Sequence, residues 1–166
     1  MTGALAASWR DFYIASAGAS ATLVGLLFVS LSVNIGEILK YQHLPTRAAA
    51  TLASLMLILV ASLAFLIPQP PWLMGVEVLV AGLAVWGQHA RSAVRSRAAR
   101  AAYGRPGHET WLELGMGQAM SLPFIGGAGL LLAGSDAALP VLAAGAILTF
   151  ALSVLNAWVL LVEILR

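Results

Sequence analysis

The chain has 166 residues, 60% of them hydrophobic and only 10% charged, with a mean hydropathy of +0.90. A soluble domain carries about 25% charged residues, and a globule of this length could not enclose so much apolar surface; a water-soluble fold is excluded. There is no cysteine, which also excludes disulfides, thiolate metal sites and cysteine nucleophiles.

The net charge is +2, and eight of the nine basic residues are arginine. With abundant Ala, Gly and Leu, this composition points to a GC-rich bacterial genome, and so to the bacterial cytoplasmic (inner) membrane. Residues 12–36 form the first uncharged stretch, 25 residues between Asp11 and Glu37. About 20 apolar residues in a helix cross a bilayer core. The stretch is longer than the apolar part of a signal peptide, so it reads as a retained span. Ser8 and Asp11 fit a capping box, and the first helix is expected over about 9–42. Gly18, Thr22, Gly25, Val29, Ser32 and Gly36 share one helical stripe; Ser16, Ser20, Ser30 and Asn34 lie roughly opposite. Small and weakly polar residues mark helix–helix contacts in lipid. Two such faces predict a central helix.

Pro45 ends the first helix, and Thr46 is a candidate cap for a second over 47–67. Pro68-Gln69-Pro70-Pro71 forces a tight turn into a third. That helix, 72–103, opens on Trp72 at interface depth and carries Glu77 inside its apolar part. It continues into an Ala- and Arg-rich tail with no Gly or Pro, good helix-forming material, so it is expected to extend beyond the membrane. Thr110 and Glu113 form a second capping-box match and open a fourth helix, 111–134. Its uncharged run covers residues 114–135, and Gly115, Ala119, Leu122, Gly126, Gly129 and Ala133 share a face. Pro123 removes a helical donor near its middle, where a kink or break is expected. The fifth helix is expected over 140–165, with Thr149, Asn156 and Glu163 spaced by seven on one face.

These elements predict an all-α, single-domain (1–166) integral membrane bundle of five transmembrane helices. Five spans put the termini on opposite sides. With the N-terminus outside and the C-terminus cytoplasmic, the inner segments hold Lys40, Arg47, Arg91, Arg95, Arg97, Arg100, Arg105 and Arg166, and the outer ones only Arg10. This is the distribution that the positive-inside rule requires.

Few residues are candidates for chemistry. Glu77 shares a stripe with Ala81, Ala84, Gln88, Arg91 and Arg95, which reads as one wall of a polar path; acids within a span mark functional sites by default. The opposing reading is a carboxylate near enough to the interface to reach water or a helix end. Asn34 with Glu37, and Asn156 with Glu163, place an amide and an acid toward the same side. Buried amides that bridge helices explain them more simply than ion coordination. The Arg91, Arg95, Arg97, Arg100 and Arg105 cluster suits anionic lipid headgroups, acidic partners, or topology alone; it lacks the interleaved aromatics of a nucleic-acid surface. His43, His89 and His108 have no metal-binding spacing, so no metal and no cofactor are expected. The only lysine is Lys40, no GxSx motif accompanies a membrane histidine, and no acids pair within a span. Retinal binding and intramembrane proteolysis have no basis here.

The first half carries a resemblance. Trp9-Arg10-Asp11-Phe12-Tyr13, the run from Gly18 to Ile35, Leu44-Pro45-Thr46-Arg47-Ala48, Pro68-Gln69-Pro70 and Gly75-Val76-Glu77 resemble a group of small bacterial integral membrane proteins. The likeness spans about residues 9–80. Some members look like proteins labelled as modulators of a membrane protease, which implies an accessory role and no active-site residue. The expected function is therefore non-enzymatic: a homo-oligomer or accessory subunit working through helix packing, with Gly18, Thr22, Gly25, Ser32, Gly115, Ala119, Gly126 and Gly129 as contact residues. The alternative is an ion channel or small transporter with a path along the first and third helices through Glu77 and Gln88.

Overall fold

The computed structural model describes residues 3–40, 44–102 and 108–164, with side chains for 9–40, 44–94, 114–160 and 162. The described chain is all helix: α1 Gly3–Val33, α2 Ile35–Ile38, α3 Leu44–Leu66, α4 Pro71–Ala102, α5 His108–Leu132 and α6 Ala138–Ile164. Five of these, all but α2, are long and apolar enough to cross a membrane, over Trp9–Val33, Leu44–Leu66, Pro71–Val94, Leu114–Leu132 and Ala138–Leu160. The protein is an integral membrane helical bundle.

Helices α3, α4, α5 and α6 pack in sequence and close on one another through α3 and α6. This is the antiparallel four-helix arrangement that short connections favour. Helix α1 lies outside this ring, against α3 and marginally against α6. The central helix is therefore α3, not the first helix as its two small-residue faces predict. In the most apolar part of each span, 50% of α3 is buried against 17% of α1. Only one face of α1 is used. Ser16 and Ser20 are buried, while Gly18, Thr22, Gly25, Val29, Ser32 and Gly36 are exposed. Ser20 turns its hydroxyl onto the Ser16 carbonyl at 2.8 Å, so this face presents little free polarity. Tyr13 anchors the same face. It is fully buried, stacks on Phe65 of α3 at 4.3 Å, and donates a long 3.4 Å hydrogen bond to the Leu139 carbonyl of α6.

The long first helix is also interrupted. Asn34 leaves the helical path and its Nδ2 donates to the Ser30 carbonyl at 2.9 Å. A side-chain amide that competes for backbone carbonyls, with Gly36 close behind, is poor helix material. The short α2 follows, and its Ile38 is buried beside Leu44, Ala48 and Leu160. Ser8, Tyr41 and the Thr110–Glu113 cap lie outside the described residues or their side chains.

Within the ring the close contacts fall on particular glycines. Along α4, Gly75 and Gly82 receive Leu132 and Ile125 of α5, and seven residues further His89 packs onto Gly117. That heptad spacing is the antiparallel, left-handed geometry of membrane bundles. Between α5 and α6, Gly127 meets Leu142 and Gly145 meets the Pro123 ring. Helix α5 runs through Pro123 without a break. The Thr149 hydroxyl of α6 donates to the Met120 carbonyl one turn before the proline, at 3.1 Å. The turn into α6 is a Schellman motif: Ser135 N–H bonds Leu130 O, Gly134 N–H bonds Leu131 O, and Gly134 has φ +70°.

A methyl group on Gly145 would sit 2.6 Å from Pro123 Cβ, a rigid ring atom, whereas one on Gly126 would meet nothing within 4 Å. Gly145→Ala is expected to destabilise the bundle by about 1–3 kcal/mol, the usual cost of overpacking. Gly126→Ala should leave the monomer fold unchanged. Unfolding in mixed detergent, followed by circular dichroism, separates the two.

Candidate functional site

Polar side chains inside the ring gather at the end that holds Arg47, and they do so in two layers. In the first, Arg47 Nη2 on α3 donates to Asn156 Oδ1 on α6 at 3.1 Å, and Asn156 Nδ2 donates to Thr51 Oγ1 at 2.8 Å. Thr51 in turn donates to the Arg47 carbonyl at 3.1 Å. One amide thus uses both its acceptor and its donor to clamp two helices. In an apolar medium each of these groups would otherwise go unsatisfied.

The second layer joins three helices. Ser54 Oγ on α3 lies 2.7 Å from His89 Nε2 on α4, 3.5 Å from Met120 Sδ on α5, and 3.0 Å from its own Ala50 carbonyl. A hydroxyl has one proton. With that proton on Ala50, His89 Nε2–H donates to Ser54 Oγ and Nδ1 keeps the lone pair. The imidazole reaches this position because Gly117 has no side chain: a methyl there would stand 2.9 Å from His89 Cβ and 3.2 Å from Nδ1. Beside these layers lies a small cavity of about 30 Å³, room for one or two water molecules. Arg47, His89, Ser92, Met116, Met120 and Asn156 contribute to its wall.

Glu77 sits at the opposite end of the bundle. Its Oε2 accepts a 2.8 Å hydrogen bond from Gln69 Nε2, which also donates to the Ala64 carbonyl at 2.9 Å. Gln69 therefore ties the end of α3 to the first turns of α4 across the proline turn, and Glu77 is its anchor. Gln88 is half-buried on α4, roughly 16 Å along the helix from Glu77. Helix α3 packs against both α1 and α4. Among the described residues, the Asn34 side chain bonds only within its own segment, to Ser30. Asn156 is the one predicted amide that bridges helices. Arg91 is exposed, and the side chains of Arg95, Arg97, Arg100, Arg105 and Glu163 lie outside those described.

The outward stripes are the other distinctive feature. Gly18, Gly25, Gly115, Gly126 and Gly129 have nothing within 4 Å of where a Cβ would stand. Thr22 and Ser32 are exposed and bond their own helix at Gly18 and Phe28, and Ala119 is half-buried. The glycines that pack this chain are instead Gly75, Gly82, Gly117, Gly127 and Gly145. Among the described residues no three His, Cys, Asp or Glu side chains converge. No known protein family, curated protein or solved structure matches the chain. The reading of the site rests on its own geometry.

Arg47, Thr51, Ser54 and His89 were not evident as one cluster from spacing along the sequence. The seven-residue interval from Thr149 to Asn156 was the available signal, and both side chains do point into the ring. Replacing Asn156 by Leu removes its hydrogen bonds to Arg47 Nη2 and Thr51 Oγ1. The expected loss is about 0.6–2 kcal/mol, the range for interhelical hydrogen bonds in membranes. Asn34→Leu breaks no interhelical bond and should cost less. Thermal unfolding of the two variants in one detergent makes the comparison.

Proposed function

We propose that this chain is a non-enzymatic membrane protein that acts by packing its helices against another membrane-embedded surface, as a homo-oligomer or as an accessory subunit of a membrane complex. One observation carries this reading. The stripes of small residues on α1 and α5 face away from the bundle, while a different set of glycines holds the bundle together. Close approach between helices is the main route to association in lipid, where apolar side chains gain nothing by leaving the acyl chains. A face that is small, weakly polar and unused inside the chain is suited to a neighbouring helix. The resemblance to small bacterial membrane proteins, some labelled as modulators, agrees with an accessory role.

The location that fits best is the bacterial cytoplasmic membrane. The N-terminus is then outside, and the Arg47 end of the bundle and the extended end of α4 face the cytoplasm, as the arginine distribution favours. The exposed Arg91 begins a basic surface there that anionic lipids would neutralise. A channel along α1 and α4 of one chain finds less support, because the two helices are not neighbours.

Leu at Gly18 and Gly25, and separately at Gly126 and Gly129, tests the proposal. The native protein is expected to migrate as an oligomer, or with a copurifying partner, in a mild detergent. Each double variant should shift toward the free monomer while retaining its helical content. A native chain that is monomeric in detergent and in native membrane extracts, with no partner attached, refutes it.

A further inference from the structure

Helix α1 is tied to its neighbours at two levels. Near its start, Tyr13 is buried against Phe65 of α3 and donates to the Leu139 carbonyl of α6. Beyond its end, Ile38 joins Leu44 and Ala48 of α3 and Leu160 of α6 in one buried cluster. Between these levels in the chain, α1, α3 and α6 line an apolar groove of about 250 Å³. Its deepest members, Leu27 and Leu55, are only 7% and 3% exposed, whereas Leu26, Val154 and Trp158 at its rim are exposed. On α1 the groove extends from Leu23 to Ser30, about 10 Å of helix, against roughly 15 Å for one leaflet of the hydrocarbon core. Its mean cross-section is then about 25 Å², whereas a helix about 10 Å across needs on the order of 80 Å². A second helix does not fit in it. The polar residues of its wall are Ser30, Ser153 and Trp158, and the Ser153 hydroxyl is buried without a partner. An extended peptide would bring an N–H and a C=O at almost every residue, and three side chains cannot satisfy them in an apolar medium.

We propose that this groove seats one acyl chain of a phospholipid, drawn from the leaflet on the Arg47 side of the bundle. A hydrocarbon chain has the width of the groove, asks for no hydrogen bonds, and is the medium that meets the exposed rim. Left empty, the groove would cost its walls their dispersion contacts on one side. Trp158 indicates how the chain lies. It is exposed, and it stands two residues beyond Asn156, the partner of Arg47, toward that end of α6. Aromatic residues near the ends of spans sit at the level of the lipid ester and headgroup region. The chain therefore enters beside Trp158 and runs along α1 toward the middle of the membrane. There it fills the space that α1, α3 and α6 leave between the Tyr13 and Ile38 levels, and so braces the peripheral helix. The inference rests on the membrane setting alone. The groove residues of α1, Leu23, Leu26, Leu27 and Ser30, are distinct from the small-residue stripe proposed for assembly.

The test uses the full chain in phosphatidylcholine vesicles that contain a phosphatidylcholine with a photoactivatable diazirine in mid-chain. After illumination the labelled residues are mapped by mass spectrometry. Leu27 and Leu55 are expected to take label, although they are too buried for lipid around the bundle to reach. Leu83, exposed on α4, is the reference for ordinary lipid contact. Ala157→Leu and Ser30→Leu, made singly and together, enlarge half-buried residues of the groove wall. They should lower labelling of Leu27 and Leu55 about tenfold relative to Leu83, because the added side chains take up the volume of the chain. Ala84→Leu, exposed on α4, should change neither. Circular dichroism confirms that each variant keeps its helical content, and any one folded groove variant decides the matter. The proposal is overturned if the native chain takes label at Leu83 but none at Leu27 and Leu55, as it would with the groove empty or covered by a second copy. It is equally overturned if a folded groove variant is labelled there as strongly as the native protein.

Discussion

Within a bilayer the burial of one apolar side chain against another gains nothing over burial against lipid. What remains is close contact and the satisfaction of polar groups, and this bundle depends on the first of these most of all. The Pro123 ring seated on Gly145, Leu142 on Gly127, and Leu132 and Ile125 on Gly75 and Gly82 bring α4, α5 and α6 together at short range. Each contact pairs a bulky group with an absent one. Dispersion is individually small, so the number and fit of such contacts decide stability, and one methyl group in the wrong place is felt. The proline acts here as a packing surface; the helix passes through it intact.

The polar layers depend on that packing. His89 stands between α3, α4 and α5 only because Gly117 lets it pass. Once inside, its ring needs a partner, and Ser54 is within reach at 2.7 Å. Asn156, Arg47 and Thr51 close the neighbouring α3–α6 seam in the same way. These interhelical clusters lie toward one end, while Ser62, Ser121 and Thr149 are buried further along the spans. At the other, Gln69 and Glu77 secure the proline turn. A charged group near a helix end can be held there by a local amide, whereas one between helices needs a partner from another segment.

Helix α1 is the exception to this economy. It lends one face, with Tyr13, Ser16 and Ser20, to the bundle and leaves a glycine-rich face uncovered. Beside it, α1, α3 and α6 enclose an apolar groove of about 250 Å³, lined in part by Leu23, Leu27, Leu55 and Trp158. A peripheral helix with these properties can exchange lipid neighbours for protein ones at little cost to the four-helix ring.

Much of the architecture was legible in the order of residues. Apolar runs of about 20 residues, separated among the described residues by the Pro68 to Pro71 turn and the Gly134-Ser135 turn, define five spans whatever the neighbours, because length and hydropathy are local properties. The inward face of α6 was also visible, in the spacing of Thr149 and Asn156. The rank of the helices was not. On α1 both faces are small and weakly polar, and lipid imposes no amphipathic pattern to distinguish inside from outside, so only the packing could place α3 at the centre and α1 at the edge. Glycine gave the same ambiguity: Gly126 and Gly127 are adjacent, yet one is bare and the other lies under Leu142. The sequence by itself determined the five apolar spans and the membrane setting, but not the interruption of the first helix at Asn34 or the start of α3 at Leu44. The tertiary structure alone decided which small residues pack, and which of the scattered polar residues meet: Arg47 with Asn156, and Ser54 with His89 and Met120. Those partners are 35 to 109 residues apart along the chain, and only the closing of the bundle brings them together.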